Sequence, residues 1–116
     1  MLSAQARLNK SEAEIRESFS EISFREGETK DGIKYLMGEF SRGIFIYYFD
    51  EFGYSNLNLM VPYNIESVNE QVEIYNSKYV IINKTSWRAY LDNGMIMSIE
   101  MIFDDELQKF VFKYSM

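Results

Sequence analysis

The sequence predicts an α+β domain, with two short helices packed on a mainly antiparallel sheet. Three observations support this. Two Ser-x-x-Glu patterns, beginning at Ser11 and Ser67, have the form of helix starts. Between and after them the apolar spacing changes from helical to alternating, with turn residues in the gaps. A length of 116 residues with 47% hydrophobic content fits one core, so residues 1–116 are read as a single domain.

In Ser11-Glu12-Ala13-Glu14 the serine hydroxyl and the Glu14 carboxylate can each bond a backbone N–H that the first turn leaves without a partner, so a helix is expected from Ser11 to near Ser20. Ile15 and Phe19 fall on one face of it, and Glu12, Arg16 and Glu17 on the other. Alternation then marks strands around Ile22 and Phe24, around Ile33, Tyr35 and Met37, and along Ile44 to Phe49. Lys30-Asp31-Gly32, Ser41-Arg42-Gly43 and Asp50-Glu51-Phe52-Gly53 supply the turns, and Leu57, Leu59 and Val61 form a fourth strand closed by Pro62.

Ser67-Val68-Asn69-Glu70 repeats the capping pattern, and Val68, Val72 and Tyr75 follow at helical spacing, so the second helix is expected from Ser67 to near Asn76. Tyr79 to Ile82 and Trp87 to Leu91 are β-rich, and Asn93-Gly94 is a pair favoured in type I′ hairpins. Met95 to Phe103 continues as a long strand. Asp104-Asp105-Glu106 turns the chain into a last strand, Leu107 to Tyr114, with Phe110, Phe112 and Tyr114 on one face. A sheet of about six to eight strands results. Residues 11–62 and 67–114 share this order of elements, so two α-β-meander halves are one reading and an ordinary α+β domain is the other.

The chain has no histidine and no cysteine, which removes the usual general base, thiolate nucleophiles, disulfides and the commonest metal ligands. It has no Ser-x-x-Lys, Gly-x-Ser-x-Gly or phosphate-loop spacing. Acids cluster at Glu12, Glu14, Glu17 and Glu21, at Asp50-Glu51 and at Asp104-Asp105-Glu106, where helix-dipole and turn chemistry account for them better than glycoside hydrolysis or cation binding. No catalytic residue, metal ligand or cofactor is assigned. Twelve basic against eighteen acidic residues, a net charge of −6, oppose nucleic-acid binding. No apolar run reaches the roughly 18 residues of a membrane span or forms a signal-peptide core, so a soluble, cytoplasmic protein is expected.

The strands are apolar at both parities. In Gly43 to Phe49 and Met95 to Phe103, alternation sends Phe45, Tyr47, Phe49, Ile96 and Ile102 outward, yet two short helices cover only one face of a sheet. The expected function is therefore non-catalytic: binding of another protein or of a second copy, as a chaperone, adaptor or inhibitor does. In size, acidity and element order the chain is similar to type III secretion chaperones. That resemblance implies an acidic homodimer holding extended segments of its clients, although here the last element is a strand where that family closes on a helix. The alternative is a small-molecule or carbohydrate-binding domain, or a carboxylate-dependent enzyme, with an aromatic pocket. Trp87, Tyr90, Tyr47 and Phe49 are the candidate binding residues, because large aromatics dominate binding hot spots.

Overall fold

The computed structural model describes residues 6–91 and 94–116. Its elements are α1 (Glu12–Ser18), β1 (Arg25–Glu28), β2 (Lys34–Glu39), β3 (Gly43–Phe49), β4 (Ser55–Pro62), α2 (Ile65–Lys78), β5 (Val80–Asn83), β6 (Ser86–Tyr90), β7 (Ile96–Asp104) and β8 (Lys109–Ser115). All eight strands lie in one antiparallel sheet, in the order β1-β2-β3-β4-β8-β7-β6-β5. Each helix is followed by a four-strand meander, and the two meanders meet at their last strands, with Met60 opposite Phe112 and Leu57 opposite Ser115. Short turns join the strands within a meander, which antiparallel pairing permits. The one long connection is α2, which carries the chain from the centre of the sheet at β4 to its far edge at β5.

Both helices pack on one face of the sheet, termed inner here. Its strands contribute Leu36, Phe45, Tyr47, Met60, Phe112, Ile99 and Trp87, each almost fully buried. Ile15 and Phe19 from α1 meet this layer, with Phe19 edge-on to Phe40 at 5.1 Å. From α2, Tyr75 packs on Trp87 and Phe112, each at 5.2 Å. Burial of each such side chain contributes on the order of 1.5–3 kcal/mol. The segment before α1 also lies on this face. Leu8 enters the core, Asn9 N–H donates to the Ser55 carbonyl at 2.6 Å, and Ser55 N–H donates to the Lys10 carbonyl at 2.8 Å. Fully buried Asn58 is satisfied by the same strap: its Oδ1 accepts from Arg7 N–H at 2.7 Å and its Nδ2 donates to Ser55 Oγ at 2.6 Å. A buried amide left without these partners would be strongly unfavourable, so the strap and the polar pair on β4 depend on each other.

The first capping box forms as expected, with Glu14 N–H donating to Ser11 Oγ and Ser11 N–H to the Glu14 carboxylate. The second does not. The cap of α2 is Asn64, whose Oδ1 accepts from Ser67 N–H at 2.9 Å, so the helix begins two residues before Ser67 and runs on to Lys78. Asn caps as well as Ser, and starting at Ile65 buries Ser67 and Val68 on the inner face while leaving Glu70 free to bond Arg42 at 2.9 Å. The first strand is also displaced. Ile22 and Phe24 lie in the connector beneath α1, packed against the core, and pairing begins at Arg25, opposite Met37. The β6–β7 hairpin closes with Leu91 N–H donating to the Met95 carbonyl at 2.9 Å, and Gly94 takes a φ of 83°. The type I′ assignment itself rests on Asp92 and Asn93, which lie outside the described residues.

Candidate functional site

The opposite, outer face of the sheet is built from the alternate positions of the same strands. Tyr35 and Met37 on β2, Ile44, Ile46 and Tyr48 on β3, and Leu57, Leu59 and Val61 on β4 are all half-buried. Val111 on β8 and Ile102 on β7 extend the row across the centre of the sheet. Among the described residues no helix lies on this face. Strand side chains alternate by necessity, so a strand apolar at both parities places as much hydrocarbon on the open side as on the covered one.

Polar residues border the apolar row. Glu100 and Lys113 face each other across β7–β8, as do Asp104 and Lys109, with Ser98 and Ser115 between them and the chain end. Tyr35 and Tyr48 pair at 5.9 Å on the other side. Burial raises the Tyr48 phenol above its usual pKa, and Tyr35 and Asp104 add to the rise. An apolar centre with a polar rim is the layout of protein interfaces.

Of the four residues singled out from the sequence, Trp87, Tyr47 and Phe49 are buried at 1%, 0% and 8% exposure, while Tyr90 is 61% exposed. Trp87 Nε1–H donates to Asn76 Oδ1 at 2.8 Å, which ties β6 to α2. Phe45 and Tyr47 stack at 4.9 Å inside the core. Buried rings offer a partner no surface, so only Tyr90 lies where it could touch one. Of the five residues expected outward, three are inverted. Ile96 and Ile102 are outward and exposed, but Phe45, Tyr47 and Phe49 point inward and Ile44, Ile46 and Tyr48 point out. The signal for the outer face was present in the sequence as apolarity at both parities. The phase was not, because either set of side chains could fill the core.

Two concavities bear on the pocket alternative. A groove of about 910 Å³ at one end of the sheet is lined by Glu12, Tyr48, Asp50, Glu51 and Leu57 among others. Asp50 Oδ1 there accepts the Phe52 and Tyr54 N–H groups at 2.9 and 3.0 Å, so this acid holds the β3–β4 turn. Among the described residues the carboxyl groups whose pKa is displaced, Glu14 and Glu26, are both lowered: Glu14 by hydrogen bonds from Ser11, Glu26 by the bonding it shares with Glu12 and then Arg16. A general acid requires the opposite displacement. A second cleft, of about 350 Å³ beside the strap, is lined by Tyr75, Tyr79, Tyr114 and Met97, with Lys10 and Lys78 also on its wall. Among the described residues no cluster of three potential metal ligands occurs, and no helix is long and apolar enough to cross a membrane. In comparisons with known proteins, the chain matches no family model, no curated protein and no solved structure.

Proposed function

We propose that this protein is a non-catalytic, cytoplasmic binding module of chaperone, adaptor or inhibitor type, which holds a protein partner or a second copy of itself through the outer face of its sheet. The observation that carries this reading is the half-buried row of Ile44, Ile46, Leu57, Leu59 and Val61, on the face of the sheet where no helix lies among the described residues. Hydrocarbon arranged contiguously and rimmed by charge is the pattern of an association surface. The lack of histidine and cysteine supports this reading, since it removes the usual general base and thiolate nucleophiles.

The test combines the solution mass of the purified protein with affinity capture from the source cell, for the wild type and for Ile46→Glu and Leu59→Glu. Each change places a carboxylate in the middle of the row without entering the inner core. A dimer or a captured partner, lost in both variants while circular dichroism is unchanged, supports the reading. A monomer that captures nothing, or a partner retained by both variants, overturns it. The pocket alternative is supported by the tyrosine-lined cleft beside the strap and would be favoured by a small molecule that binds there.

A further inference from the structure

The two edges of the sheet are managed in opposite ways. An edge strand presents unpaired N–H and C=O groups, and proteins usually protect it with charge. β1 follows that rule, with the sequence Arg25-Glu26-Gly27-Glu28. β5 does not: Val80, Ile81 and Ile82 are 49%, 55% and 46% exposed, and among the described residues β5 pairs only with β6, with a register shift between Ile81 and Asn83. Charge around β5 also departs from the rest of the chain. Residues 74–91 contain no Asp or Glu, although the protein carries a net charge of −6, and they include Lys78, Lys84 and Arg88. Lys78 and Lys84 flank the apolar strand on its two sides, both exposed, and Arg88 lies opposite Val80 on β6.

We infer that the β5 edge is a strand-addition site for an extended apolar segment of a partner protein flanked by acidic residues. Main-chain hydrogen bonds to the free edge would provide the pairing, and the side chains of Val80, Ile81 and Ile82 the apolar contact. The flanking charge selects among occupants. A second copy of this edge would bring Lys78, Lys84 and Arg88 towards their own counterparts, with no acid in residues 74–91 to offset them, which is repulsive, whereas Asp or Glu at both ends of an incoming strand is complementary. The site is separate from the outer face, so it can fail while that reading stands, and the reverse.

The probes are two labelled nine-residue peptides with the same central Val-Thr-Ile-Thr-Val, one flanked on each side by two glutamates and the other by two lysines, titrated into the full-length protein by fluorescence anisotropy. The acidic peptide is expected to bind roughly tenfold or more tightly than the basic one, with the difference shrinking as salt is raised. Lys78→Glu/Lys84→Glu, on two exposed side chains, is expected to reverse the preference, and binding is expected to slow amide exchange on β5. Leu59→Glu on the outer face is expected to leave the titration unchanged. Absence of binding by either peptide, equal binding of both, or indifference to the charge reversal overturns the inference. So does a wild-type dimer that Ile81→Lys dissolves, since the edge would then belong to a second copy.

Discussion

Tyr75 sits at the junction of α2 with the second meander, 2% exposed, with its ring against Trp87, Phe112, Tyr114 and Tyr79. Its hydroxyl is buried and makes no hydrogen bond of ordinary geometry, although the Gln71 side chain, also buried, lies near enough to oppose in part the effect of burial on the phenol. An unpaired buried hydroxyl costs about 1–3 kcal/mol, and loss of its oxygen forfeits a few tenths of that in packing. Tyr75→Phe is therefore expected to stabilise the protein by about 1 kcal/mol, with the ring contacts intact. For a domain of this size that raises Tm by about 4 °C. Urea unfolding followed by Trp87 fluorescence is the assay, since Trp87 is the only tryptophan and packs directly on Tyr75. A loss of 1 kcal/mol or more in Tyr75→Phe would refute the reasoning, because it would mean that Gln71 satisfies the hydroxyl and that the polar pair supports the fold.

The remaining expectations concern pH, the strap and a tight backbone approach. Burial raises the phenol pKa of Tyr47 and Tyr75 well above 10.0, so the native state keeps protons that the unfolded chain loses. Their contribution to stability is present below about pH 10 and is lost as pH rises beyond it; Tyr75→Phe and Tyr47→Phe are each expected to move alkaline unfolding, read by circular dichroism, to higher pH. Asn58→Ala removes the acceptor of the Arg7 N–H and the donor to Ser55 Oγ, and opens a small void. A loss of about 2–4 kcal/mol in urea unfolding is expected, with faster exchange of the Arg7 amide. A Cβ at Gly43 would collide with the Val61 carbonyl, a backbone atom that cannot rotate aside. Gly43→Ala is therefore expected to cost about 1–3 kcal/mol or more by thermal melting, while Gly53→Ala, where the space is open but φ is 85°, costs about 1 kcal/mol.

The element types were determined by the sequence alone, because capping chemistry, apolar period and turn residues act within a few positions of one another. The Ser11 box, the glycines at 32, 53 and 94 in left-handed turns, and the alternation along β3, β4, β7 and β8 each follow from local sterics and local hydrogen bonding. Competition between equivalent local solutions was decided by packing. The Ser-x-x-Glu pattern points to Ser67 as the cap of α2, whereas Asn64 caps it in a fold that buries Ser67 and Val68 against the sheet. Phe45 and Ile44 could both face a core, and the side on which α1, α2 and the strap settled sent Phe45 and Tyr47 inward and left Ile44 and Ile46 half-buried on the other face. The joining of β4 to β8, which leaves β1 and β5 as the edges, was likewise a long-range outcome that no short window of residues encodes. Local chemistry sets what each segment can be; only the burial of one shared face settles which side of it turns inward.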